Sequence, residues 1–327
     1  MIHPERSRRV IHYRTLRNDD PPGLARVWNE AFTARGAVAL PTASALEEYV
    51  FAKSYFDPAG VVIALEDGVA VGFAHAGFGP NPGESGLSTA DGVVCAVGVR
   101  PAFRGRGVGS ELLRRSEGYL SGRGATTIYA GPMRPFNPFY LGLYGGSESA
   151  GFLASDATAD PFLLHQGYLR QDASLVFQRR LEGPINVADP RFLAIRRRFE
   201  LVAQPRRGAG TWWRESVLGP IELLDVLLRD KTSNEVLARA AAWEMLGFCQ
   251  RWGAPAVGII DLEVSEGVRR QGLAKFVLVH LMRHVQEQFF ALVEVQANER
   301  NEPVIRLFRG LGFEQVDTGR SYRKAGA

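Results

Sequence analysis

Only two cysteines occur in 327 residues, Cys95 and Cys249, each in an apolar neighbourhood. They make no disulfide framework, and buried free thiols are expected. Histidine is scarce as well, at six. His280 and His284 lie four apart on an amphipathic segment, but no glutamate stands between them in an H-E-x-x-H arrangement. No metal site is expected. No apolar run approaches the ~18 residues that would span a bilayer, so no membrane helix is expected. The opening Met1-Ile-His-Pro-Glu-Arg-Ser-Arg-Arg9 leads into no apolar stretch. No secretory signal is read from it, and the cytoplasm is the expected location. Lysine is nearly missing: four of 39 basic residues, at 53, 231, 275 and 324. That reads as a compositional preference for arginine. Neither sign of charge dominates, with 35 acidic residues and a net charge of +4. This excess argues weakly for nucleic acid and suits small anionic ligands equally well.

What is present is an ordinary globular composition, 46% hydrophobic and 23% charged. At roughly 150 residues per domain the length suggests two domains. Residues 11–17 alternate and read as a strand. Leu24, Val27, Trp28 and Phe32 recur at helical spacing, and Leu46, Tyr49, Val50 and Tyr55 suggest a second helix. The runs 61–65 and 69–76 flank Asp67-Gly68, a hairpin signature. Residues 77–91 read as a loop and 92–99 as a buried strand. A helix (Val108, Leu112, Leu113, Leu120), a strand at 126–129, a short helix at 160–167 and a closing strand at 174–181 follow. Between them, 131–154 is aromatic and rich in glycine and proline, without helical or strand period. It is either a functional lid or a packed excursion whose aromatics fill a groove.

Glu182 to Pro190 lacks periodicity and carries two prolines. The domains are therefore placed at 10–182 and 191–327, with a linker at 183–190. The second half reads as a possible strand at 199–203, a hairpin over 221–245, a strand at 256–264, a helix through Leu273, Phe276, Val277, Leu281 and Val285, and a strand at 291–296. A short helix follows, with Asn301 as N-cap, Pro303 in its first turn and Gly312 closing it.

One pattern occurs twice. Val97 to Gly109 and Val264 to Lys275 each join a strand to a helix through a basic, glycine-bearing loop. Arg104-x-x-Gly107-x-Gly109 matches Arg269-x-x-Gly272-x-Ala274, about half the chain apart. Such a loop directs unpaired N–H groups and a helix N-terminus at one point, which favours a phosphate. Gly105, Gly107 and Gly109 are spaced G-x-G-x-G, so they fit neither the dinucleotide fingerprint nor the P-loop.

Strand, Arg-x-x-Gly-x-Gly/Ala, helix, strand, Asn-headed helix, Leu311-Gly312-Phe313 and strand together resemble the GNAT family of N-acyltransferases. The likeness covers roughly 220–325 and, with the insertion, roughly 10–181. The resemblance implies an α/β (α+β) chain of two tandem domains, each a mixed, splayed sheet flanked by helices. It implies acetyl-CoA as co-substrate and no metal. The pyrophosphate would lie on Arg104, Gly105, Arg106, Gly107, Val108 and Gly109, or on Arg269, Arg270, Gln271, Gly272, Leu273 and Ala274. The pantetheine arm would meet Val97 and Val99, or Leu262 and Val264, and Asn301 would be a further cofactor-binding residue. The partner implied is a small-molecule or peptide amine, with no membrane or nucleic acid, on a monomer (a pseudo-dimer) or a homodimer. Glu263 is the candidate base, because Gly98 takes its place in the first half, and Tyr322 is a candidate acid. Tyr140 and Tyr144 are further possibilities for that proton. The family's usual tyrosine position holds Phe308 and Leu163, which cannot donate one. The expected function is acetyl transfer from acetyl-CoA to an amine in the second half. The competing class is a non-catalytic CoA-binding or assembly module.

Overall fold

The computed structural model describes residues 10–208 and 210–326. At Asp67-Gly68 both φ values are positive, 50° and 79°, the backbone that a two-residue hairpin turn demands. It joins β2 (Val61–Glu66) to β3 (Val69–Pro80). β1 (Ile11–Thr15) lies outside β2. Between them α1 (Pro21–Ala31) starts on two prolines and buries Leu24, Val27 and Trp28 at helical spacing. The expected second helix is one turn, α2 (Ser44–Leu46), running into a π-turn at Glu47–Phe51.

The loop expected at 77–91 is mostly strand. β3 continues to Pro80, and β4 (Leu87–Val99) begins early. Its glycines have a packing reason. A Cβ on Gly77 would lie 2.6 Å from the Phe139 ring, and one on Gly79 would strike Phe136. Aromatic side chains of the 131–154 segment therefore lie directly on this strand. α3 (Val108–Gly122), β5 (Thr127–Ala130), the short β6 (Phe152–Leu153), α4 (Ala159–His165) and β7 (Tyr168–Arg180) complete the first half.

The second half opens with α5 (Arg191–Arg198), β8 (Phe199–Pro205) and α6 (Trp212–Leu218). Neither helix is expected from sequence. Each is only seven or eight residues long, too short for a period to register. β9 (Leu224–Asp230), β10 (Val236–Glu244), α7 (Cys249–Trp252), β11 (Ala256–Val264), α8 (Leu273–Glu287), β12 (Leu292–Asn298), α9 (Glu302–Gly310) and β13 (Glu314–Lys324) follow. α9 matches its sequence signature. The Asn301 side chain accepts from the Val304 N–H, Ile305 and Phe308 are buried, and Gly312 has φ 78°.

Among the described residues the strands form one sheet, in the order β1-β2-β3-β4-β5-β13-β7-β12-β11-β10-β9-β8, with β6 also on β13. The two halves exchange their closing strands. β13, from the end of the chain, pairs antiparallel with β5 of the first half. β7, which closes the first half, pairs antiparallel with β12 of the second. The exchanged strands pair with each other from Glu314↔Gln178 to Lys324↔Tyr168. One hydrophobic core accordingly draws on both halves: Trp28, Phe139 and Tyr140 pack in the same cluster as Trp213, Val217, Trp243 and Tyr322. α8 and α9 cover a second core on the far side of β9–β12.

The exchange corrects the expectation for Tyr322. Its side chain is buried in the shared core, and its hydroxyl donates to Asp160 Oδ1 of α4 at 2.9 Å. It faces the first half, away from the second glycine loop. Arg170 first, with help from the Tyr322 hydroxyl, holds the Asp160 carboxyl at about 2.

Two outcomes follow from this pairing. Because neither half completes its own sheet, the chain should unfold in one cooperative transition, with circular dichroism and tryptophan fluorescence coincident. Two resolved transitions would contradict the exchange. Tyr322→Phe should lower stability by about 1.5 kcal/mol by removing one part-buried hydrogen bond to a charged acceptor, measured by urea titration.

Candidate active site

The two glycine loops share one backbone. Arg100 and Ser265 enter at φ −55°, and a single 3₁₀ turn follows each. Arg104 and Arg269 are extended (φ −67° and −62°). Gly105 and Arg270 are left-handed (73° and 62°). Gly107 and Gly272 cap α3 and α8 at 79° and 87°. Each loop arginine is also spent in the same way: Arg104 Nε donates to Val99 O, and Arg269 Nε to Val264 O, both at 3.1 Å. These side chains staple the loop to the strand that feeds it. The loop N–H groups beyond them have no intrahelical acceptor and are left open to an anion.

The surroundings differ. Beside the first loop lies an apolar cleft of 370 Å³, lined by Val97, Val99, Arg104, Gly105, Gly107, Val108 and Gly109, with Phe32, Phe152 and Leu163. Arg106 turns away, to Glu66 at 2.6 Å and over the Phe103 ring. A Cβ on Gly98 would lie 2.8 Å from the Phe32 ring. A carboxylate at that position has no room.

The second loop opens on a cleft of 1240 Å³. Leu262, Glu263, Val264, Arg269, Arg270, Gly272, Leu273, Ala274 and Asn301 line it, and Gln271 stays outside on the surface. Two further cations reach its wall. Arg191 of α5 donates to Arg270 O at 3.3 Å, and Lys275 stands beside it. Both share Asp189, at 2.7 and 3.1 Å. Arg191, with Lys275, holds the Asp189 carboxyl well below the ordinary range.

At the inner end the sheet splays. Parallel pairing of β11 with β12 stops at Ile259↔Val295. β11 continues against β10 alone, with an irregularity opposite Arg239 to Ala241 where Asp261 turns left-handed (φ 52°). The edge of β11 that faces away from β10 is thereby left without a strand partner, and its backbone groups require one. A compartment of 230 Å³ fills the gap, sharing Leu262, Glu263, Asn301 and Val304 with the larger cleft. Phe308 lines it, buried against Phe177 and Phe313.

Two further lining residues, Arg134 and Glu148, come from the 131–154 segment of the first half. That segment is anchored on the strands of the second half. Glu294 of β12 accepts from Ser147 N at 2.7 Å and from Gln178 Nε2 at 2.8 Å. Gln296 Nε2 donates to Gly145 O and Glu148 O, and Trp243 Nε1 donates to Ser147 O at 3.1 Å. Tyr140 and Tyr144, considered above as proton donors, are buried in the shared core. Their hydroxyls are occupied by His75 Nδ1 and Leu153 N.

The carboxylates of the compartment differ in commitment. Glu263 is 56% exposed and ion-paired with Arg239 at 2.8 Å. Asp261 is 7% exposed and accepts from Arg206 and Arg214, each at 2.8 Å, and from Arg134 at 3.4 Å. Burial pushes its pKa up, but Arg214 and Arg206 outweigh this and hold it below the ordinary value. Glu148 is raised by burial, with Asp261 reinforcing and Arg214 and Arg134 opposing. Sequence reasoning passed over Glu148. The available signal was that it is the one acidic residue between 131 and 154.

The profile of the Acetyltransferase (GNAT) family matches residues 24–146 and 211–313, more than half of the chain. No curated protein matches the sequence significantly. Among solved structures, a GCN5-related glucosamine N-acetyltransferase region of a fungal multi-domain β-N-acetylglucosaminidase superposes with TM-score 0.72 at 13% identity. It covers 97% of this chain, which spans 38% of that protein. A GCN5-related N-acetyltransferase from Sphaerobacter thermophilus superposes with TM-score 0.65 at 17% identity, covering 96% of this chain and 95% of its own. A tandem GNAT protein from the clavulanic acid biosynthesis pathway gives 0.66 at 14% identity, covering 96% and 98%. Among the described residues no helix is long and apolar enough to cross a membrane. With two matched regions, two loops of one backbone and a splayed strand beside each, the chain belongs to the GNAT acetyltransferase family in tandem form and is an acyltransferase.

Proposed function

We propose that the second half moves an acetyl group from acetyl-CoA to the amine of a small molecule or peptide, and that the first half braces it. The units are taken as 10–182 and 191–327, joined by 183–190. The observation that carries this reading is the continuity of the 1240 Å³ cleft at the second loop with the splay compartment, where carboxylates converge. The first half splays in the same way, with β4 leaving β5 beyond Val94↔Ala130, but its cleft is lined there by Phe32, Phe152 and Leu163, with Asp156 as its one carboxylate among the described residues.

The residues present fit acetyl-CoA. N–H groups from Arg270 to Ala274 form the phosphate cradle, and Arg191 and Lys275 add positive charge at its wall. The partnerless edge of β11 at Leu262 and Val264 offers backbone groups to the amides of the pantetheine arm, in the manner of an added strand. Asn301 sits where the cleft narrows. Bound there, acetyl-CoA supplies an acetyl thioester. Phe308 offers no proton at the inner end. A leaving thiol with a pKa of about 8.5 demands little acid assistance near neutral pH, and a water-filled cleft meets that need. The first loop would also accept a CoA: Gly105 and Gly107 leave its backbone open, with nothing within 4 Å of a Cβ on either.

Thiol release from acetyl-CoA with D-glucosamine, spermidine and glycinamide tests the activity. Glutamate at Gly272 would combine a strained positive φ with a negative charge in the phosphate cradle. Gly272→Glu should reduce turnover by more than about ten-fold, a loss of about 1.4 kcal/mol in transition-state binding. Gly107→Glu should cause the smaller loss, and the reverse order would move the chemistry to the first half.

A further inference from the structure

Three carboxylates border the splay compartment, and two are already engaged. Glu263 is exposed and paired with Arg239. Asp261 is buried and holds Arg206, Arg214 and Arg134. A carboxylate in such pairs gains little by taking up a proton. Glu148 differs from both. It is half-buried, it lines the compartment, and its carboxylate makes no hydrogen bond among the described residues.

Its place is set by the half to which it does not belong. The backbone around it is held by Glu294, Gln296 and Trp243, three side chains on β10 and β12. This fixes the segment on the strands beside the splay, close to where β11 loses its partner. Loop residues tied to a rigid sheet in this way are suited to presenting a reacting group.

We propose that Glu148, delivered by the first half, is the general base for acyl transfer in the second. This rests on the reading that the second half carries the chemistry. The acceptor's ammonium gives its first proton to Glu148. The nitrogen lone pair then forms the C–N bond at the acetyl carbonyl carbon, and the C–S bond breaks with its electron pair on sulfur. The second nitrogen proton passes through water to that sulfur, giving the thiol, and Glu148 returns its proton to solvent.

The charged groups facing Glu148 are Arg214 of α6, Arg134 of its own segment, Asp261 of β11 and, at the rim, Glu263. Burial raises its pKa above the ordinary carboxylate value. A base works only when ionised, so turnover should rise with pH through that raised pKa, at higher pH than an exposed glutamate would give.

The test uses the full chain, with saturating acetyl-CoA and whichever of the three amines turns over fastest. Glu148→Gln should lower kcat by about 100-fold or more and abolish the acidic limb of the kcat–pH profile. Acetyl-CoA affinity and Tm should be unchanged. Glu148→Asp should recover part of the rate with the limb restored. The proposal is overturned if Glu148→Gln keeps the limb, if it loses acetyl-CoA binding or Tm along with turnover, or if Glu263→Gln causes the larger loss. Acetyl-CoA binding without thiol release to any of the three amines, in the unaltered protein, would instead sink the underlying reading, and the base assignment with it.

Discussion

A buried carboxylate, Glu294, holds the two halves of the site together. It is fully enclosed on β12, and burial pushes its pKa up. Burying such a group is tolerable only when hydrogen bonds replace the lost water. Here they come from three separate segments of the first half: Ser147 N from the insertion, Gln178 of the exchanged strand β7, and Arg35 at 3.5 Å. Gly146 is required next to it, because a Cβ there would collide with the carboxylate. Each unsatisfied group left by a disruption would cost about 1–3 kcal/mol. The insertion and the exchanged strand are thus fastened at one point beside the splay.

Of the two readings of the insertion, the packed excursion is the one its contacts display. Its aromatics fill a groove, with Tyr140 stacked on Trp28 and Phe139 tilted against His75. Its far end closes the inner compartment of the other half. The polar end, with Arg134 and Glu148, reaches the cleft.

Two loops of one backbone have acquired different settings. Around the first, Phe32 and Phe73 occupy the space next to Gly98, and the cleft walls are mainly apolar. Around the second, the splay stays open and is ringed by Asp261, Glu263, Glu148 and their arginines. Backbone geometry is preserved because positive φ values and a helix N-terminus are local demands. The chemistry beyond the loop is set by side chains from elsewhere, and these diverge freely.

Much was legible in the chain itself. Arg104-x-x-Gly107-x-Gly109 and Arg269-x-x-Gly272-x-Ala274 announced strand, loop and helix, because glycine at positive φ and an open helix start are short-range requirements. Asn301, Pro303 and Gly312 marked α9 for the same reason, and Asp67-Gly68 marked the first hairpin. The clefts gathered nearly all of the residues expected at the loops, with Gln271 and Arg106 outside. What the sequence alone did not determine was partnership. A strand's alternation reveals its faces and not its neighbour, so the exchange of β7 and β13 was invisible, and with it the removal of Tyr322 to the first half. Glu263 was read correctly as a strand carboxylate, but its ion pair with Arg239 depends on the register of β10. Glu148 lay in a segment without period, and only the folded chain carries it across to the other half. Local backbone demands are written in neighbouring residues, whereas the proximity of groups more than a hundred residues apart is decided by which surfaces can be buried together.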